Sequence, residues 1–162
     1  MDKVVIRPAA AGDIDAIARL WLALVEFHRE IDGDLPAAAP NGALRYARRL
    51  IDRVEDSQSR VLVAEADGHV VGYVLGMVVD LVPEMFAQPP SGFLADIFVD
   101  AEHRRQGVGR ALVDALAAWF REHGLDYYEW HVAARNTAAV EFWRAVGGRD
   151  VMLRMRGEIE KQ

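Results

Sequence analysis

The segment from residue 93 to residue 132 constrains the fold more than any other part of the sequence. Its first part, Phe93–Val99, is apolar and rich in residues that favour strands. After a glycine-rich turn, apolar residues recur at helical spacing over 108–120, and Gly124 stands at the expected position just past the helix end. The run Tyr127–Val132 then predicts a second strand. Because two strands joined through a helix pair in parallel with a right-handed crossover, we expect one parallel step here.

The rest of the chain predicts antiparallel pairing around that unit. Two alternating runs flank Asp67-Gly68, and an Asp-Gly pair between such runs is a strong hairpin signal. Two amphipathic helices precede the hairpin, behind a short first strand over 4–7. A helix over 137–146 and a final strand over 150–156 complete the order β-α-α-β-β-β-α-β-α-β. We therefore expect one domain spanning all 162 residues, an α/β sandwich with a mixed, mostly antiparallel central sheet and helices on both faces.

Composition narrows the chemistry. The sequence contains no cysteine, which excludes a disulfide framework, a thiolate zinc site and a cysteine nucleophile, and we expect no bound metal. Its 25 acidic and 19 basic residues give a net charge of −6, which disfavours a general nucleic-acid binder. No apolar run approaches the roughly 18 residues of a membrane span, and the first residues lack the pattern of a signal peptide. We expect a cytoplasmic protein without nucleic-acid or membrane partners.

The turn before the helix of the crossover has the residues of an anion site. It is Arg104-x-x-Gly107-x-Gly109 at a helix start, where free amides and a positive dipole end favour phosphate. Glycines let a phosphate approach the backbone, and flanking arginines can pair with its oxygens. A P-loop would need Gly-Lys-Ser/Thr, and a dinucleotide fingerprint would need glycine where Leu112 stands. The pattern indicates a small phosphate-bearing ligand; the alternative is a glycine turn with surface arginines.

Two motifs around this turn resemble those of a known family. Asp96–Val99 followed by 104–112 resembles the central motif of the Gcn5-related N-acetyltransferases (GNAT), and Asn136-x-x-Ala139-x-x-Phe142-Trp143-x-x-x-Gly147 resembles the motif after it. The resemblance covers roughly residues 60–152. It implies acetyl-CoA as co-substrate, with its pyrophosphate on the backbone of the turn and its pantetheine arm along the edge of a splayed strand. The implied cofactor-binding residues are Ile97, Phe98, Val99, Arg104, Arg105, Gln106, Gly107, Val108, Gly109, Arg110, Asn136 and Trp143.

The catalytic residues are less well determined than the cofactor site. Because the chain has no cysteine, the acceptor amine is expected to attack the acetyl thioester directly, in a ternary complex. The resemblance makes Asp96 the first candidate for the base, since several family members place a carboxylate there. Glu129 is the second, and His131 on the same strand face is an alternative base or water relay. Trp143 stands where many members have a tyrosine proposed to protonate the leaving thiolate, which an indole cannot do.

The expected acceptor is the primary amine of a small molecule. An acidic cluster near the first connector would suit a cationic amine, although a solvated acidic loop is the simpler interpretation. The cluster consists of Glu26, Glu30, Asp32 and Asp34. A peptide N-terminus is the alternative acceptor, and a non-catalytic acyl-CoA sensor is the alternative function. Met85 and Phe86, in a proline-bounded loop over 81–91, could form a lid or a contact in a homodimer.

Overall fold

The periodic segments of the sequence form a single sheet covered by helices in the computed structural model, which describes residues 4–80 and 87–159. In these two ranges the sheet has five strands in chain order: β1 (Val5–Pro8), β2 (Ser59–Ala66), β3 (His69–Val79), β4 (Ser91–Val99) and β5 (Tyr128–Trp130). The α-helices are α1 (Ile14–Ile31), α2 (Gly42–Asp52), α3 (Val108–Glu122) and α4 (Thr137–Ala145). Neighbouring strands are antiparallel except β4 and β5, which are parallel. The predicted fold class is confirmed.

The sheet divides the apolar core into two clusters, because side chains alternate between its faces. On one face, Leu94 packs with Leu112 and Leu116 of α3, and α4 contributes Trp143. The other face packs against α1 and α2, which contribute residues such as Ile17 and Leu50 to the second cluster. Both faces are therefore covered by helices, as predicted.

Positive backbone angles mark two of the predicted turns. Asp67 and Gly68 have φ angles of 51° and 75° in the β2–β3 hairpin, as a two-residue Asp-Gly turn requires. Gly107, with φ of 83°, precedes α3, and Gly124, with φ of 71°, follows it. In this left-handed region of backbone angles, a residue with a Cβ costs roughly 1–2 kcal/mol of stability, which explains glycine at both ends of α3.

The predicted final strand over 150–156 is wrong. Residues 150–159 have no regular secondary structure and are exposed; Met152, Leu153 and Met155 are 89%, 81% and 88% exposed. Strand-forming side chains need a partner strand, and the nearest sheet edge along the chain, β5, is only three residues long. The predicted strand over 127–132 is shortened to β5 because the pairing with β4 ends at Trp130.

The loop predicted over 81–91 falls between β3, which ends at Val79, and β4, which begins at Ser91. Residues 81–86, and with them Met85 and Phe86, lie outside the described residues. Among the helices of the described ranges, none is both long enough and apolar enough to cross a membrane.

Candidate active site

A β-bulge in β4 determines which way its central side chains point. Asp96 pairs with Leu75 whereas Leu94 pairs with Gly76, so Ala95 is an extra residue on β4. The bulge lets Ala95 and Asp96 both face α1 and α2, and Ile97 then faces the α3 cluster. Gly76 accommodates this arrangement, because a Cβ there would collide with the side chain of Leu116.

Beyond the bulge, β4 has an open edge. The parallel pairing with β5 joins Gly92, Phe93 and Leu94 to residues 128–130 and then stops. On that side the backbone of 95–99 has no strand partner within the described residues. An open strand edge presents unpaired N–H and C=O groups that an extended ligand containing amides can use. The geometry agrees with the splay expected from the family resemblance.

The glycine turn follows this edge directly. The N–H of Arg104 donates to the carbonyl of Ala101 at 3.3 Å, and Arg105 then takes a φ of 58°. Gly107 is the N-cap of α3 and offers no side-chain cap, so the first amides of α3 have no partner in their own helix. No protein atom lies within 4 Å of a Cβ built on Gly107. The turn is therefore an open set of backbone donors at the positive end of a helix.

The arginine side chains of the turn do not all face that space. The Nε of Arg104 donates to the carbonyl of Val99 at 2.9 Å, and its guanidinium lies 4.9 Å from the ring centroids of both Phe27 and Phe98. Arg104 thus contacts both the end of β4 and α1. The Nε of Arg110 lies 3.5 Å from the carboxylate of Asp114 one helical turn on. The structure leaves the backbone, rather than the Arg104 side chain, as the group that faces a ligand.

Asn136 and Trp143 lie on α4, which packs against the start of α3. A Cβ on Gly109 would lie 3.6 Å from the ring of Phe142, so the second glycine of the turn lies next to α4. The Oδ1 of Asn136 accepts the N–H of Ala139 at 3.1 Å and caps α4. Only the amide NH₂ of Asn136 therefore remains for a ligand. Trp143 is 7% exposed, and its ring lies 4.4 Å from that of Trp130.

Asp96 is a carboxylate with a raised pKa that accepts a hydrogen bond from a tyrosine. The hydroxyl of Tyr46, on α2, donates to Oδ2 of Asp96 at 2.7 Å. Burial raises the pKa of Asp96, and the hydrogen bond from Tyr46 works against that rise because it stabilises the charged form. Burial and the nearby Asp96 charge raise the pKa of Tyr46 and of Tyr73, so both phenols stay neutral at ordinary pH. The buried Tyr73 hydroxyl lies close to Asp96 and Tyr46 and also helps to lower the pKa of Asp96, although it forms no well-aligned hydrogen bond among the described residues.

The other candidate bases lie on the same face of the sheet but in solvent. Glu129 pairs with Phe93 in the β4–β5 register and is exposed. It faces away from Tyr128 and Trp130, which pack on the α3 cluster. His131 is also exposed, and its ring meets Phe93 edge-on at 5.5 Å. Asp96 is thus the partly buried carboxylate of the set, and Glu129 is the solvated one.

Sequence reasoning missed Tyr46 and did not settle the acidic cluster. Tyr46 precedes the buried Ala47 on the amphipathic face of α2, and nothing local distinguishes its hydroxyl from that of a packing tyrosine. In the acidic cluster, Asp32 lies 3.8 Å from Arg135, and Asp34 lies 3.9 Å from Arg156. Glu26 and Glu30 line a surface depression together with Arg29 of the same helix. Asp32 and Asp34 thus have arginine partners, which favours the solvated-loop interpretation for these two residues.

The splayed edge and the glycine turn together present unpaired backbone groups that suit an extended, phosphate-bearing ligand. A family model described as the acetyltransferase (GNAT) family matches residues 21–147, and the chain belongs to this family. The resemblance of the two motifs is confirmed.

Three similar proteins illustrate the range of the family. The L-2,4-diaminobutyric acid acetyltransferase of Nocardia farcinica is 32% identical over 94 residues, which cover 58% of this chain and 46% of that protein. The N-alpha-acetyltransferase of Sulfurisphaera tokodaii is 24% identical over 105 residues, covering 62% and 63% of the two chains. A mutant of the BH1408 protein from Bacillus halodurans has a solved structure with 25% identity and a TM-score of 0.86, covering 96% and 99%. The chain spans about half or less of the length of the first curated relatives it matches.

Proposed function

We propose that the chain acts as a single N-acetyltransferase domain that moves an acetyl group from acetyl-CoA to the primary amine of a small molecule. The observation that carries the proposal is the Asp96–Tyr46 pair, because its carboxylate lies on β4, the strand whose open edge leads to the glycine turn before α3. Membership of the GNAT family supports the same reaction.

The donor half of the site would hold acetyl-CoA mainly through backbone groups. The pyrophosphate would accept from the amides of 105–110, where the helix dipole also favours negative charge. The pantetheine amides would pair with the open edge at 97–99, as an added strand does. The free NH₂ of Asn136 would contribute a donor from α4. The buried Trp143 would support α4 from beneath.

The acceptor amine would attack the thioester carbonyl directly. A C–N bond forms, the C–S bond breaks, and the ammonium proton passes to the Asp96 carboxylate. A base whose pKa is raised by burial is closer to the working pH, which makes it more efficient. A free thiol has a pKa near ~8.5, so the thiolate can leave without a dedicated acid. This accounts for catalysis with Trp143 at the tyrosine position.

Two measurements test the proposal. Calorimetry with acetyl-CoA should detect binding, and no binding at high micromolar concentration would contradict the donor site. A panel of amines, with released CoA read by a disulfide reagent, should identify acceptors that accelerate thiol release. The chain itself adds no thiol background, since it has no cysteine. Binding without release for any amine would instead favour the acyl-CoA sensor.

A peptide N-terminus is a second candidate acceptor, and the similarity to the Sulfurisphaera tokodaii N-alpha-acetyltransferase favours including it. Peptides with free N-termini therefore belong in the amine panel. Small amines are the first candidate because the Nocardia farcinica relative is named for acetylating a diamino acid. Higher kcat/KM for peptides than for any small amine would reverse this order.

We further propose a cytoplasmic homodimer. An apolar stretch at the end of the described chain supports the dimer, since Val151, Met152, Leu153, Met155 and Ile159 are all more than half exposed. Light scattering should report twice the chain mass, and the substitutions Leu153→Ser and Met155→Ser should return it to the mass of one chain. Cell fractionation tests the cytoplasmic location, and the protein should be found in the cytoplasmic fraction, where acetyl-CoA is available.

A further inference from the structure

A cleft between α1 and α2 has the composition of an acceptor subsite. The rings of Trp21 and Tyr46 stack at 5.0 Å with an interplanar angle of 19°. With Gly42, Arg45 and Arg49 they line an open cleft of about 350 Å³. That volume lies in the range of small-molecule sites, and the lining combines aromatic faces with two cationic side chains.

The two arginines share one face of α2 because of their spacing. Arg45 and Arg49 are one helical turn apart and lie on the same side of the helix. Arg45 donates to the carbonyl of Pro40 at 2.9 Å, and neither guanidinium has a carboxylate within ion-pair distance in the part of the chain that the structure describes. Gly42 lines the cleft beside them, and a Cβ built there would make an ordinary van der Waals contact of 3.5 Å with the ring of Trp21.

Tyr46 connects this cleft to the reacting centre. Its ring forms one wall of the cleft, and its hydroxyl donates to Asp96 at 2.7 Å. An acceptor whose amine reaches Asp96 can therefore extend an anionic end along the same tyrosine towards Arg45 and Arg49. Two guanidinium groups on one helix face can pair with the two oxygens of a carboxylate.

We propose that the acceptor is an amino acid or a similar small amine that carries a carboxylate, which Arg45 and Arg49 bind while its amine faces Asp96. This inference rests on the proposed acetyltransferase function and names the acceptor class within it. The same arginines act against polycationic acceptors, because like charges repel in the cleft. Asp32 and Asp34 of the acidic cluster do not offset this, since each has an arginine partner of its own.

The test compares acceptors that differ only by a carboxylate. L-2,4-Diaminobutyrate and 1,3-diaminopropane form one such pair, and L-ornithine and putrescine form another. The wild-type chain should show a kcat/KM at least about tenfold higher for each diamino acid than for its diamine. In the Arg45→Gln/Arg49→Gln double variant the diamino acids should lose about 10- to 100-fold in kcat/KM, mostly through KM, while the diamines change little.

Two further variants separate this role from general charge effects. Arg48→Gln removes a charge from the same helix at a position that does not line the cleft, and it should leave the preference for diamino acids unchanged. Arg49→Glu should lower the diamino acids further and raise the diamines. Equal kcat/KM for both members of each pair in the wild type, or an unchanged ratio in the double variant, would overturn the inference.

The inference can fail separately from the proposed function. If diamines or peptides are acetylated with the same kcat/KM as diamino acids, the chain is an acetyltransferase without the carboxylate site. If no amine accelerates thiol release, calorimetry of the CoA-bound chain with L-2,4-diaminobutyrate still tests the arginines. Binding that the double variant weakens about tenfold or more supports the site, and binding no tighter than that of 1,3-diaminopropane refutes it.

Discussion

The proposed donor and acceptor halves of the site are built in different ways. The donor half consists of main chain: the open edge of β4 over 95–99 and the amides that follow Gly107. The acceptor half consists of side chains from three elements, Trp21 on α1, Tyr46 on α2 and Asp96 on β4. Main-chain geometry needs only a few glycines and a bulge, whereas side chains can be exchanged without disturbing it. One family can therefore keep its donor while its acceptor varies.

Replacing Gly107 with leucine tests the donor half and should have the largest effect. The site has open space for the side chain in the free protein, but the leucine would occupy the volume where a phosphate must approach. Loss of two or three charge-assisted hydrogen bonds, about 1.5–3 kcal/mol each, should weaken acetyl-CoA binding by roughly a thousandfold or more in calorimetry.

Gly124→Leu is the matched control for that variant. Gly124 has φ of 71°, close to the 83° of Gly107, and likewise has no atom within 4 Å of a built Cβ. Both variants should lose a similar free energy of unfolding, about 1–2 kcal/mol, but only Gly107→Leu should lose binding. Equal effects on binding would mean that backbone strain, and not contact with the ligand, is responsible.

The same contrast explains what the sequence could predict. The hairpin at Asp67-Gly68 and the turn at Gly107 are local signals, because each needs a particular φ within a few residues. Tyr46 meets Asp96 across 50 residues, and only the packing of α2 on the sheet brings them together. The final strand over 150–156 failed for a similar reason, since strand propensity does not supply a partner.

Asp96→Asn tests the acceptor half and should have the next largest effect. The amide keeps the shape of the side chain but cannot accept the ammonium proton, so kcat should fall about 100- to 1,000-fold. Acetyl-CoA binding should remain, because the donor half is main chain. Steady-state kinetics across pH should also lose the acidic limb of the kcat/KM profile.

Glu129→Gln is the control that distinguishes the two proposed bases. The substitution is chemically the same but falls on the exposed carboxylate of β5. We expect a change in kcat of less than about threefold, typical of a solvated surface group. A large loss for Glu129→Gln with a small one for Asp96→Asn would transfer the base to β5.

Tyr46→Phe should have a smaller effect with a defined direction in pH. The tyrosine hydroxyl donates to the charged form of Asp96 and so lowers a pKa that burial has raised. Without the hydroxyl, the pKa of Asp96 rises further, and less of the base is ionised at a given pH. The acidic limb of kcat/KM should move to higher pH, with roughly a three- to tenfold loss near neutrality. A limb that stays in place, or moves to lower pH, would mean that Tyr46 only supports packing.

Trp143→Phe should have the smallest effect on activity, because we expect Trp143 to support the site only through packing. Trp143 is 7% exposed and lies against Trp130 within the α3 cluster. Phenylalanine keeps an aromatic ring but leaves a small void, so urea unfolding should report a loss of about 1–2 kcal/mol. The kcat should change by less than about threefold, because the thiolate needs no acid. If kcat instead falls tenfold or more while acetyl-CoA binding is retained, the indole N–H stabilises the leaving sulfur. The donor half would then include a side chain of α4 and would not consist of main chain alone.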